Sequence, residues 1–296
     1  MGYREFFSSH QLVFSGFQKP FDEAKYIVLG VPFDSTSTFR TGSRFAPTAI
    51  REASLNIETY SFRSSLDIED IKIHDLGDLH TSGNIDETLY RLELVVRELL
   101  EDGKTPVLVG GEHTITLGAL RGVGSGVETA VLSFDAHLDL RDKYMGMKTS
   151  HTTFMRRVRE ELKPTIIEVG TRAVCKEELS YAKKSNITFI TSSDILRNGV
   201  KEAIKRITEA TSSCEKIYLT IDMDVLDPAF APAVQNPEPE GLSTHLLLEI
   251  LHGVCDGRVV ALDLVEVTPH YDQGVTAIQA AKIIFETLCY IDRAQS

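Results

Sequence analysis

Short apolar runs bounded by turn residues recur along the chain at positions 26–30, 106–110, 129–134, 165–170, 187–190, 216–222 and 258–265. Runs of this length that stay apolar without alternating read as strands buried on both faces. Between them the apolar spacing changes to that of a helix. It is clearest at 86–100, where Leu89, Leu92, Val96, Leu99 and Leu100 fall on one face and Gly103 is placed to end the segment. The same spacing predicts helices at 47–54, 150–162, 176–184, 200–210, 243–254 and 274–290. Strand alternating with helix implies a mostly parallel sheet covered on both faces, because parallel neighbours need crossover connections. Chemistry is then expected beyond the carboxyl ends of the strands. No repeat, low-complexity tract or linker divides the sequence. The one Pro-dense stretch, 227–242, follows a strand end and reads as a shaped loop, so residues 1–296 are expected to form one domain.

Three strand ends carry candidate chemistry. After the run at 129–134 come Asp135, His137 and Asp139; in an extended segment alternate side chains share a side, so all three are expected to project together. An isolated Asp-X-His is most simply a solvated strand end, but two carboxylates crowded with an imidazole repel unless a cation relieves them. Asp222 and Asp224 end the run at 216–222 with the same spacing, while Asp227-Pro228 reads as a turn cap. Gly110 and Gly111, which permit close backbone approach, precede His113. Two His and four Asp without sulfur favour manganese or magnesium over a structural zinc site. Four carboxylates suffice to neutralise two divalent ions, a pair of which can lower the pKa of a shared water. His151 could move protons near neutrality, its simpler reading being a surface residue at a helix start. Glu266, ending the last apolar run, could pair with a planar cation or salt-bridge an arginine.

Composition narrows the setting. With 296 residues, 42% of them hydrophobic, the chain can bury a substantial core. A formal net charge of -12 gives no footprint for nucleic acid or an anionic membrane. Cys175, Cys214, Cys255 and Cys289 lack zinc-type spacing and read as reduced, mostly buried thiols. No apolar segment reaches membrane length, and the N-terminus lacks the form of a signal peptide. Phe6 stands where a myristoylation signal following Gly2 needs Ser or Thr. A cytoplasmic protein is expected.

Gly110-Gly111-Glu112-His113, Asp135-Ala136-His137-Leu138-Asp139 and the run from Asp222 to Pro228 resemble the signatures of the ureohydrolases, which include arginases, agmatinases, guanidinobutyrases and formiminoglutamases. The stretches 30–34, 40–51 and 263–269 are similar to the same family, in order, from about residue 26 to the end. The resemblance implies a single three-layer α/β/α domain with a mainly parallel, about eight-stranded sheet, two Mn2+ ions and a homo-oligomer, trimer or hexamer. It assigns metal ligation to His113, Asp135, His137, Asp139, Asp222 and Asp224, with Asp135 and Asp224 bridging. Glu266 falls on the acid that holds a small cationic guanidino substrate, and His151 on the proton shuttle, with Asp139 carrying a proton to the leaving amine. Arg141, with Asp142 beside it, stands where the arginase-like pattern has an Asn that reads an amino-acid head group; arginine is thus less expected than agmatine, with guanidinobutyrate the alternative. Residues 40–54 and 150–157 look like those of agmatinases. Two departures concern the substrate: Thr152 replaces a Gly after the shuttle histidine, and residues 233–236 lack the glycines usual in that loop. A two-metal phosphoesterase, which would want an Asn-His pair and a basic clamp, and a non-catalytic metal-binding relative are the readings from other classes.

Overall fold

The computed structural model describes residues 12–295; Gly2 and Phe6 lie outside them. The first strand, β1 (Tyr26–Gly30), leads through an irregular loop to α1 (Ala46–Ser54), a small hairpin of β2 (Tyr60–Ser61) and β3 (Leu66–Asp67), and then β4 (Ile73–Asp78). From α2 (Ile85–Glu101) onward the alternation is regular: β5 (Thr105–Val109), α3 (Ile115–Val123), β6 (Thr129–Phe134), α4 (Phe154–Glu161), β7 (Thr165–Thr171), α5 (Lys176–Lys184) and β8 (Thr188–Thr191). Two consecutive helices follow, α6 (Ser192–Asn198) and α7 (Val200–Ala210), and the chain closes with β9 (Lys216–Asp222), α8 (Thr244–Val254), β10 (Val259–Val265) and α9 (Val275–Gln295).

Eight of these strands form one sheet in the order β4-β1-β5-β10-β9-β6-β7-β8, every ladder parallel. Consecutive strand residues pack into separate apolar clusters. Val28, Val107 and Val109 join α1 and α6 to α9 on one side, while Leu29 and Leu108 join α2 to α5 on the other. Burial on both faces is the physical reason that the strands read as unbroken apolar runs. The three-layer α/β/α architecture is the expected one.

The departures from expectation are local. Edge strand β4 carries His74, Asp75 and Asp78, and Arg51 of α1 grips both acids, at 2.7 Å and 2.6 Å, so its sequence is polar where a central strand's is apolar. Helix α4 starts at Phe154, not 150, because Ser150–Thr153 is a turn in which the Thr153 hydroxyl holds the Ser150 amide at 2.9 Å. The four cysteines are free. Among the described residues no helix is long and apolar enough to cross a membrane.

Candidate metal centre and active site

The adjacent central strands β5, β10, β9 and β6 end side by side; at their ends His137, Asp139, Asp222, Asp224 and Glu266 line one cavity of about 480 Å³, with His113 and Asp135 packed directly behind, His113 Nδ1 3.1 Å from carboxylate oxygens of Asp135 and Asp222. Gly111 makes the approach of His113 possible. It sits at φ +86°, and a Cβ there would strike the Val31 carbonyl and come within 3.0 Å of the Phe33 carbonyl.

The segment after β6 is not an extended arm with alternating side chains. Strand β6 stops at Phe134, and Asp135 turns the chain by accepting the amide of His137 in its own Oδ1 at 2.6 Å. Asp139 then lies in the left-handed region at φ 51°. The two-residue spacing after β9 has the same origin, since Asp222 Oδ1 accepts the Asp224 amide at 2.8 Å. Both pairs are thus Asx turns, in which one carboxylate oxygen fixes the backbone and the other is left free of it. Asp224 also ties the two turns together by taking the Ala136 amide at 3.1 Å.

The donors gather in two groups, His113 with Asp135 and Asp222, and Asp135 with His137 and Asp224. Asp135 belongs to both, Asp224 only to the second. Asp139 joins neither as closely, its Oδ2 lying 3.6 Å from His113 Nδ1. The hydrogen-bond pattern tests whether this set fits cations. Thr220 gives its hydroxyl proton to Asp263 at 2.5 Å, so at His113, 2.8 Å from Thr220 Oγ1, it is Nε2 that donates. Nδ1 of neutral His113 is then a lone pair, buried without a hydrogen-bond partner and 3.1 Å from oxygens of both Asp135 and Asp222. A lone pair held against carboxylates requires a positive charge between them, and the N and O donors suit a divalent ion.

The same demand appears in the protonation of the bare site. Burial opposes charge on His113 and His137, yet the neighbouring carboxylates raise both well above the ordinary imidazole range. Burial would raise Asp135 too, but the two imidazoles hold it below the usual carboxylate range. Burial, then neighbouring acids, raise Asp139 and Asp222. Binding of cations would displace these protons.

Glu266 sits at φ 72° at the end of β10, a strained conformation for a side chain other than glycine. Its Oε1 accepts the His113 amide at 2.6 Å, while Oε2 is buried without a partner. Burial and the nearby Asp222 carboxylate raise its pKa well above the ordinary value. His151 is 4% exposed, in the turn before α4, and lines the same cavity. Burial, then the charges of His137 and His113, lower its pKa to about 4. Arg141 borders the cavity with its guanidinium over the Tyr144 ring and 4.0 Å from Glu178. Thr152 and Asn236 are also on its lining. Asp227 caps the following turn, accepting the amides of Ala229 and Gly241, as its place before Pro228 suggests.

Sequence reasoning missed Arg172. From the end of β7 it donates to the carbonyls of Asp224, Glu238 and Pro239 at 2.7–2.8 Å, fastening the loop at the cavity mouth to the ligand turn. An arginine two residues after Gly170 at a strand end was the available signal.

Comparison with known proteins agrees with this geometry. The arginase family matches residues 24–289. An agmatinase from Halalkalibacterium halodurans is 36% identical over 274 residues, covering 90% of this chain and 92% of the relative. The N(1)-aminopropylagmatine ureohydrolase of Thermococcus kodakarensis is 34% identical over 276 residues, covering 90% and 91%. The crystal structure of agmatine ureohydrolase of Thermoplasma volcanium superposes with a TM-score of 0.89 at 35% identity, covering 98% of this chain and 97% of that one.

Proposed function

The chain belongs to the arginase family and hydrolyses a guanidino C–N bond, and from that premise we propose that its substrate is agmatine, split with one water into urea and putrescine. The observation that carries this reading is Glu266: a buried carboxylate with one oxygen unpartnered, on the wall of the cavity onto which both donor groups open. A guanidinium ion is the complement of such an acid, planar, cationic and rich in N–H donors. Glu238 lines the same cavity, and its carboxylate makes no hydrogen bond or ion pair among the described residues, which supports a substrate whose far end is an ammonium.

His113, Asp135, His137, Asp139, Asp222 and Asp224 hold two Mn2+ ions in this reading. When bound, the ions supply Lewis acidity that makes a nucleophile available from water near neutral pH. Glu266 presents the guanidinium carbon in a fixed orientation, which converts the attack into a step between held groups. Addition gives a tetrahedral carbon, and the C–N bond to the alkyl chain breaks as that nitrogen gains a proton. Asp139 carries the proton inward of the leaving nitrogen, and His151, at the cavity wall, exchanges it with solvent. Arg141, engaged by Tyr144 and Glu178, borders the substrate at the mouth. The exposed Phe39, Phe62 and Met145 are apolar surface that assembly would cover, which supports a homo-oligomer, and in this reading the enzyme works in the cytoplasm.

The size of the cavity and the Thermococcus kodakarensis relative favour a second, longer substrate, N(1)-aminopropylagmatine. Urea release from Mn2+-loaded protein decides: agmatine is expected to give the highest kcat/KM among agmatine, aminopropylagmatine, arginine, guanidinobutyrate and guanidinopropionate. A preference for a carboxylate-bearing member would overturn the cationic-tail reading, and phosphate release from a phosphoester without urea from any member would overturn the whole.

A further inference from the structure

Behind His151 lies a closed chain of buried polar groups. The hydroxyl of Thr36 is 2.5 Å from Glu112 Oε1, and the hydroxyl of Thr114 donates to the same oxygen at 2.6 Å. The Thr36 amide donates to Glu112 Oε2 at 2.7 Å. Thr36 Oγ1 in turn receives the backbone N–H of His151 at 3.1 Å and lies 3.2 Å from His151 Nδ1. On the other side of the ring, Nε2 is 3.2 Å from the Thr38 hydroxyl, and Thr38 lines the cavity. Thr36, Glu112, Thr114 and His151 are each no more than 4% exposed, so water does not compete for these partners.

A hydroxyl has one proton to give and two lone pairs to receive with. Four donors converge on Glu112, the Thr36 and Thr114 hydroxyls on Oε1 and the Thr36 amide and Ser37 hydroxyl on Oε2, which is the pattern of an acceptor-only carboxylate, and toward that carboxylate the Thr36 hydroxyl points at Oε1. Thr114, also spent on Glu112, has none left for Thr36. One lone pair of Thr36 Oγ1 is filled by the His151 amide. The other can only accept, and the group that faces it is His151 Nδ1.

We infer that Thr36, held by Glu112, is a positioning residue that fixes neutral His151 as the Nδ1–H tautomer, leaving Nε2 as the proton-accepting atom toward the cavity. The inference rests on the reading of His151 as the residue that exchanges the leaving nitrogen's proton with solvent, and it specifies which atom does so. A shuttle needs its basic nitrogen on the substrate side. Glu112 and Thr36, 76 residues apart in sequence, provide this from behind. Thr38, donating to Nε2, marks the position that a proton donor takes.

Two variants separate orientation from mere packing. Thr36→Val keeps the shape and removes the acceptor that Nδ1–H has among the described residues; Thr36→Ser keeps the hydroxyl. Full-length protein labelled with 15N-histidine and loaded with diamagnetic Mg2+ reports the tautomer through its ring nitrogen shifts, the His151 signals being those lost in His151→Asn. Wild type and Thr36→Ser are expected to show protonated Nδ1 and bare Nε2, and Thr36→Val to lose that pattern. Loaded with Mn2+, Thr36→Val is expected to lose about 10- to 100-fold in kcat with metal content unchanged, and Thr36→Ser to recover most of it. Bare Nδ1 in wild type, or an unaltered pattern in Thr36→Val, overturns the inference. Absence of urea release by wild type from every guanidino compound overturns the proposed function instead, while the nitrogen shifts still decide the tautomer.

Discussion

Two walls of one cavity are made from similar side chains and meet their electrical needs differently. On the floor, Asp135, Asp222 and Asp224 each spend one oxygen on a backbone amide, and the atoms left over face one another, with His113 Nδ1 and Glu266 Oε2 unpartnered. On the wall behind His151, the hydroxyl protons of Thr36 and Thr114 both have an acceptor, and Glu112, though fully buried, receives donors at both oxygens. The floor is incomplete without added cations, whereas the wall is complete within the chain. Buried polar groups are costly chiefly when unpaired, so ions are expected to decide the integrity of the floor and to leave the wall unchanged.

The largest effect expected is from Asp135→Asn, since Asp135 serves both donor groups and also turns the chain. Metal content by elemental analysis should fall at both positions, and urea release by more than the ~10–100-fold typical of residues that only orient ligands. Full metal occupancy in this variant would remove the distinction between floor and wall. Next is Glu266→Gln, which keeps an acceptor for the His113 amide and loses the charge. Metal should be retained while kcat/KM drops by about 1.5–3 kcal/mol of transition-state binding, roughly 10- to 150-fold. Metal loss equal to that of Asp135→Asn would place Glu266 among the ligands.

The smallest effect concerns stability against pH in metal-free protein. His151 has a folded pKa of about 4, lowered by burial first and then by the floor imidazoles, against an ordinary 6.5. Its contribution is therefore present above pH 6.5 and lost as pH falls toward 4, amounting to roughly 2 kcal/mol between pH 6.5 and 5. His151→Asn should flatten that fall in denaturant midpoints. Asp139 and Asp222, raised by burial and by neighbouring acids, act with the opposite sign: their contribution is present below the ordinary carboxylate pKa and is lost as pH rises. A His151→Asn protein with an unchanged acid limb would show that the imidazole is not the group that titrates there.

The sheet was legible because β1, β5, β6, β9 and β10 are buried on both faces, which leaves a continuous apolar signature. Edge strand β4 was not, because Asp75 and Asp78 are chosen to hold Arg51 rather than to fill a core. Spacing picked out the residues that gather on the floor but supplied the wrong geometry, alternation in a strand where Asx turns operate. That error left the site residues unchanged because both arrangements bring residues two apart to one side. Thr36 could not be found from its own surroundings in the sequence: its role arises from three partners at distant positions. Glu112 lay in view beside His113, with nothing to show that its carboxylate faces threonines instead of a cation.

Arg172 holds the mouth loop by main-chain oxygens, those of Glu238 and Pro239, and by the same means holds the turn of Asp224. A grip on carbonyls is indifferent to the side chains that decorate the loop. The side chains of Glu238 and Pro239 can therefore change without loosening that grip, whereas residues 233–235 are tied by their own backbone to the end of β10, Gln235 donating its amide to the Glu266 carbonyl. Position and decoration are thus separate at the cavity mouth: the guanidinium of Arg172 fixes where the backbone of Glu238 runs, and the Glu238 carboxylate is left to face whatever enters.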